Sequence, residues 1–243
     1  MNQNTYDQVA DQYASYLRQL REETFSFNHD LVIPRLLERV GSVRGLTVLD
    51  AGCGEGIVAR LLAEGGAQVV AVDVAARLIE LAQAQDTQGQ VTYLVHDLSQ
   101  PLSEYQGAFD VVVSNLVIND VPDYQGFVAT LGSVTKAHGR VVLSLNNPYS
   151  ALIREKVENY FDSGKTTLYN MAKDGVAVYY FHRTLEEYIT AFREAGFVLH
   201  GLQDVQVPQV VADNLPERYK QLPYSNMYAR FPFFLILEFA KAA

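Results

Sequence analysis

Val48 to Asp73 reads VLDAGCGEGIVARLLAEGGAQVVAVD. Gly52, Gly54 and Gly56 alternate just after Asp50, and Asp73 closes the stretch. LTVLD (46–50) predicts a buried strand, GIVARLLAEG a helix stopped by Gly65-Gly66, and QVVAVD (68–73) a second strand. Glycine lets the chain turn tightly and lets a ligand approach with no Cβ in the way. The helix that follows turns its N-terminus toward such a ligand. A dinucleotide fingerprint would space its glycines GxGxxG and seat a pyrophosphate on the helix end. Here the spacing is GxGxG, and Asp50 stands at the mouth of the loop, where it would repel a pyrophosphate. A cationic or zwitterionic ligand suits it better. Asp73 follows the glycines by about 20 residues at a strand end, where a carboxylate can accept both ribose hydroxyls.

The same alternation continues downstream. AARLIELAQAQ (75–85) predicts a helix, VTYLVHD (91–97) and FDVVVSN (109–115) strands, YQGFVATLGSVTKA (124–137) a helix and RVVLSLNN (140–147) a strand. Short apolar strands alternating with helices imply βαβ units and a parallel sheet, an α/β fold. Upstream, Tyr6, Val9, Ala10, Tyr13, Leu17 and Leu20 fall at helical spacing over 5–21, and a second helix is expected from Asp30 to Val40 with Pro34 in its first turns. Residues 150–182 break the rhythm with charges, glycines and aromatics and read as an insertion. It resumes at RTLEEYITAFREAGF, where Thr184 and Glu187 fit a capping box. Strands are expected at 197–207 and 233–240. Asp50, Asp73 and Asp97 thus fall at successive strand ends, along one crevice at the carboxyl edge of the sheet.

Bulk properties narrow the function. The 243 residues carry a formal charge of −9 and no basic run, a poor footprint for a nucleic-acid binder. No apolar run reaches the roughly 18 residues of a membrane span. The polar start MNQNTYDQVADQY lacks a signal-peptide pattern, so a cytoplasmic location is expected. One cysteine, Cys53, permits neither an internal disulfide nor an iron–sulfur cluster held by this chain alone, which disfavours radical chemistry. No metal is expected.

Four motifs in order carry a family resemblance. VLDAGCGEG, VVAVD, HDL and FDVVVSNLVINDVPD, followed by GRVVLSL, resemble the motifs of class I S-adenosylmethionine-dependent methyltransferases of the small-molecule type. The likeness is strong over 46–148 and looser over HRTLEEYITAFREAGF and the last strand. It implies a doubly wound, mostly parallel seven-stranded sheet of Rossmann-like type with a helical cap and a lid. The chain is then one domain over 1–243: cap 1–45, cofactor-binding core 46–148, lid insertion 149–183, and a C-terminal part 184–243 with a substrate-side insertion. The implied cofactor is S-adenosylmethionine. Gly52, Cys53 and Gly54 would line its methionine part, with Asp50 acting through the loop or water. Asp73 would hold the ribose, with Val74 beside the adenine; Asp97 and Leu98 would meet the adenine; Asn115 and Leu116 would lie below the sulfonium. Tyr6 and Tyr13 resemble lid-helix tyrosines, or form the buried stripe of an amphipathic helix.

The acceptor side is less defined. Methyl transfer is an in-line displacement that needs alignment first and a general base only for a protonated nucleophile. Asp120 could steer an ammonium, accept a proton or serve as a loop acid or helix cap. His182 and His29 are the other catalytic candidates. Asn119, Tyr149, Tyr179 and His182, with Tyr6, are candidate acceptor contacts; the bland reading of the tyrosines is packing of the insertion. His96 reads as structural. A small-molecule N- or O-methyltransferase is the favoured reading. The others are a protein or peptide methyltransferase, or a nucleotide-binding α/β protein without transferase activity. The oligomeric state is not legible.

Overall fold

The computed structural model describes residue 15 and residues 25–153, 156–164, 166–170 and 177–242. The helix expected over 5–21, with Tyr6 and Tyr13, lies outside them save for residue 15. Phe27–Val32 forms a wide π-type helical turn that runs into α1, Ile33–Val40, with Pro34 where a missing N–H costs nothing. Then follow β1 (Thr47–Ala51), α2 (Ile57–Glu64), β2 (Gln68–Asp73), α3 (Ala76–Gln85), β3 (Val91–Val95), β4 (Phe109–Asn115), α4 (Tyr124–Val134) and β5 (Thr135–Asn146). After the insertion come α5 (Leu185–Glu194), β8 (Phe197–Val205) and β9 (Phe234–Lys241).

Seven strands form one sheet in the order β3-β2-β1-β4-β5-β9-β8. The first five are parallel, and β9 runs antiparallel between β5 and β8. Period-2 alternation divides the apolar side chains between two cores. Val48, Val111, Val113 and Val142 face α1 and α2, whereas Leu49, Val112, Val141 and Leu143 face α4 and α5. Both faces are covered, which explains why the strands read as continuous apolar runs.

One sequence expectation needs correction. The helix expected over 124–137 stops at Val134, because Thr135 turns extended (φ −76°, ψ 132°) and its Oγ1 donates back to Leu131 O at 2.6 Å. Residues 135–139 instead begin β5, and a register shift against β4 accompanies His138 at φ 63°. The insertion is not another βαβ unit, as its sequence implied. β6 (Thr166–Asn170) and β7 (Ala177–Phe181) pair antiparallel as a separate hairpin. The capping box is present as read: Thr184 and Glu187 each accept the other's backbone N–H at the start of α5.

Candidate active site

Strand order reverses between β1 and β4, since the chain leaves β1 toward β2 and β3 and returns on the other side. Open α/β sheets bind ligands at the carboxyl end of such a switch point. A cavity of about 150 Å³ lies there, lined by Gly52, Gly54, Asp73, Val74, Asp97, Leu98, Asn115 and Leu116. His96, Asp120, Val121 and Phe127 are also in its wall.

The glycine loop folds over β2. The amides of Gly52 and Cys53 both donate to Val72 O, at 2.8 and 3.0 Å. Gly52 has φ +80°, and a Cβ there would run into the Val117 side chain. Gly54 has φ +53°, and a Cβ there would meet nothing within 4 Å. Because Gly54 lines the cavity, that Cβ would occupy space a ligand needs.

Asp73 is fixed by the same loop. Its Oδ2 accepts the Gly54 amide at 2.8 Å and its Oδ1 the Ala75 amide at 2.9 Å. Asp97 Oδ1 accepts the Ser99 amide at 2.9 Å, leaving Oδ2. Asp50 lies beneath, 1% exposed. Burial first, and the charge of Asp73 second, push its pKa up from 3.8 to about 7. Asp73, Asp97 and Asp120 in the wall, with Asp50 behind the loop, give the cavity a negative potential that favours a cation.

On the far side, Asn115 Oδ1 accepts from Ser144 Oγ at 2.8 Å and its Nδ2 donates to Asn28 Oδ1 at 3.0 Å. Leu116 sits at φ 57°, unusual for a branched residue. Its amide is held by Ser144 O and Oγ, both at 3.1 Å. The loop after Leu116 is clamped by Arg183, which is 4% exposed. Its guanidinium donates to the carbonyls of Ile118, Val121 and Pro122 at 3.2, 2.7 and 2.8 Å. It also lies 4.4 Å from the Tyr124 ring centroid and 5.2 Å from that of Phe181.

Several candidates are placed elsewhere. Cys53 packs beside the first core and, like Asp50, is not in the cavity wall. Asn119 is fully buried, accepting the Asn146 amide at 2.9 Å and donating to Tyr188 Oη at 3.1 Å, so it ties β5 to α5. His182 is fully buried as well. Its Nε2 meets Tyr160 O at 2.7 Å and anchors the insertion. Tyr149 stacks on Tyr160 at 4.5 Å, and Tyr179 is exposed on the hairpin. His29 sits in the wide turn outside the wall. Asp120 alone of the three catalytic candidates lines the cavity, and His96, read as structural, joins it. Asn28, Ser144 and Arg183 were not expected. Nothing local marks them, because each acts on residues more than 25 positions away.

A family model described as a methyltransferase domain matches residues 49–143. Over that stretch the chain is similar to a methyltransferase domain. The matched stretch runs from β1 into β5 and holds the glycine loop, Asp73, Asp97 and Asn115. A ubiquinone biosynthesis O-methyltransferase of Xanthomonas euvesicatoria pv. vesicatoria is 34% identical over 105 residues, 42% of this chain and 44% of that protein. The chain therefore spans about half the length of the curated relatives it matches. Among solved structures, an S-adenosylmethionine-dependent methyltransferase from Mesorhizobium loti superposes with a TM-score of 0.66 at 23% identity, covering 86% of this chain and 96% of that one. Magnesium protoporphyrin IX methyltransferase from Synechocystis PCC 6803, solved with bound SAH, gives 0.65 at 18% identity and 97% coverage of both chains. The likeness to the two solved structures shows a shared fold.

Proposed function

We propose that this protein transfers a methyl group from S-adenosylmethionine to an N or O nucleophile of a small molecule. The observation that carries the reading is the meeting of Gly52, Gly54, Asp73, Asp97, Leu98, Asn115 and Leu116, drawn from four separate motifs, in one cavity at the switch point. The O-methyltransferase names of the curated relatives favour oxygen. The charge of −9 favours a small molecule over a polyanion. No helix of the described residues is long and apolar enough to cross a membrane, and a cytoplasmic location fits the reading.

The residues fit the cofactor. Gly54 leaves the opening that a ligand needs, and the Asp73 carboxylate, in the cavity wall and held by two loop amides, would meet the ribose hydroxyls. Asp97, through its uncommitted oxygen, and Leu98 would meet the adenine. Gly52 and Asn115 would border the methionine end. The acidic wall suits a ligand bearing a sulfonium and an ammonium. When bound, S-adenosylmethionine supplies the activated methyl group, so the protein's work is alignment and exclusion of water. Asp120 lines the cavity beyond Leu116 and in this reading would take a proton from a neutral acceptor or steer a cationic one. The insertion, with its hairpin and stacked Tyr149 and Tyr160, would serve as the lid.

Asp73→Ala is expected to weaken binding of S-adenosylhomocysteine by about 1–3 kcal/mol through loss of charge-assisted hydrogen bonds. Calorimetry on parent and variant, with circular dichroism to confirm that the variant folds, tests this. An unchanged dissociation constant in a folded variant would contradict the assignment of Asp73 to the ribose.

A further inference from the structure

Glu55 stands inside the glycine loop, between Gly54 and Gly56, and is 3% exposed. A ring of polar contacts holds it. Arg60 Nη1 donates to the Glu55 carbonyl at 2.8 Å, and Arg60 Nη2 donates to Gln85 Oε1 at 3.2 Å. Gln85 Nε2 donates in turn to Glu55 Oε2 at 3.2 Å. Main chain and side chain of Glu55 are thus tied through two neighbours, one in α2 and one at the end of α3. Tyr93, on β3, brings its hydroxyl beside the same guanidinium. Gly56 leaves room for both groups, since a Cβ there would stand 2.8 Å from Tyr93 Oη and 2.9 Å from Arg60 Nη1.

The arginine does not serve the helix that carries it. Arg60 is the fourth residue of α2, near the end where free N–H groups give a helix partial positive charge. A cation there works against the helix. Its side chain leans back toward the N-terminus, as helical side chains do, and reaches the loop. The loop is therefore gripped from two sides. In front, the amides of Gly52 and Cys53 donate to Val72 O, and that of Gly54 donates to Asp73 Oδ2. Behind, the ring holds Glu55. Gly54 lies between the two grips and lines the cavity, whereas Glu55, Arg60, Gln85 and Tyr93 do not line it. Any effect of the ring on a ligand must pass through the loop.

We propose that Arg60 is a positioning residue for the cofactor: it fixes the Glu55 carbonyl, directly and through Gln85, and so sets the shape of the loop at Gly54 before the ligand arrives. The inference rests on the cofactor reading above. A loop already in its bound shape spares the ligand the entropy of ordering it. Without the guanidinium, the Glu55 peptide is free to turn, and the Gly54 amide that steadies Asp73 turns with it.

The test uses the full chain. Calorimetry with S-adenosylhomocysteine, run well below each unfolding midpoint, is paired with urea unfolding. Arg60→Met removes the guanidinium, Arg60→Lys keeps a single cationic donor, and Gln85→Met opens the ring while leaving Arg60 in place. Lys136→Met is the control for stability alone. It removes bonds to Asp110 Oδ1 at 2.8 Å and Thr47 Oγ1 at 3.1 Å, at the opposite ends of β4 and β1 from the loop. Arg60→Met should weaken S-adenosylhomocysteine about 10-fold and Gln85→Met about threefold, with Arg60→Lys recovering part of the loss. Lys136→Met should lower the unfolding midpoint and leave the affinity unchanged. Hydrogen exchange supplies a second readout. The loop amides should exchange faster in free Arg60→Met than in the free parent, and saturating S-adenosylhomocysteine should restore their protection. If Arg60→Met does not fold, Gln85→Met decides. Parental affinity in the folded variants overturns the proposal. So does an affinity loss in Lys136→Met matching that of Arg60→Met, because affinity would then follow stability and not the loop. Failure of the parent itself to bind S-adenosylhomocysteine is a different result, since it removes the cofactor reading and this inference with it.

Discussion

Asp50→Asn is expected to stabilise the ligand-free protein by about 4 kcal/mol at pH 8 and by less than about 1 kcal/mol at pH 4. The sign follows from burial. The Asp50 carboxyl is 1% exposed, and burial with the charge of Asp73, opposed by the Ala59 amide, raises its pKa from 3.8 to about 7. Below the lower value both folded and unfolded chains hold the proton, so aspartate and asparagine differ little. Between the two values the unfolded chain releases the proton while the folded chain keeps it, and stability falls as pH rises. Above about 7 both are ionised and the loss is complete. The interval is worth about 1.4 kcal/mol for each pH unit. Asparagine does not ionise and escapes it. Urea unfolding of both proteins at pH 4, 6 and 8, without ligand, measures the difference. A gap independent of pH would show that Asp50 keeps its charge in the fold. A buried acid that weakens the fold at neutral pH makes sense beside a cavity meant for a cation, whose arrival favours the ionised form.

The second large effect lies at Arg183. Arg183→Met should destabilise the protein by about 3 kcal/mol, because the buried Ile118 carbonyl and the part-buried carbonyls of Val121 and Pro122 lose a donor and methionine offers none. The carbonyls of Ile118, Val121 and Pro122 all depend on this one guanidinium. Tyr124 and Phe181 lose a cation against their rings as well. Arg183→Lys should recover only part of the loss, since an ammonium cannot reproduce the planar fork. The clamped loop supplies Leu116, Val117, Asp120 and Val121 to the cavity, so the stability loss should come with weaker ligand binding. Denaturant midpoints of the three proteins test the energetics. Equal midpoints for parent and Arg183→Met would mean that the carbonyls find other donors.

What was legible in the sequence was local. The glycine loop, Asp73 and Asp97 sit within a few residues of strand ends, and strand ends can be read from apolar runs and turn residues. Parallel pairing then aligns those ends without further information, because Ala51 pairs with Val72 and Asp73 with Val95. The α4–β5 junction was misread because VTKA continues a helical pattern, and the tertiary pairing of Thr135 with Phe109 decides otherwise. Asn119 has the chemistry of a site residue but spends its side-chain amide on Tyr188 and Asn146, and His182 holds Tyr160 through Nε2. Asn28 and Arg183 escaped notice for the opposite reason. Their partners lie 87 and about 60 residues away, and no short pattern marks a side chain whose role is made by the fold.

The central claim is that the cavity at the switch point takes S-adenosylmethionine and not a dinucleotide. Calorimetric titration of the parent protein with S-adenosylhomocysteine and, separately, with NAD tests it most directly. One-to-one binding of S-adenosylhomocysteine with no heat from NAD is the result expected from the GxGxG turn and the acidic wall of Asp73, Asp97 and Asp120. Binding of NAD with none of S-adenosylhomocysteine would contradict it.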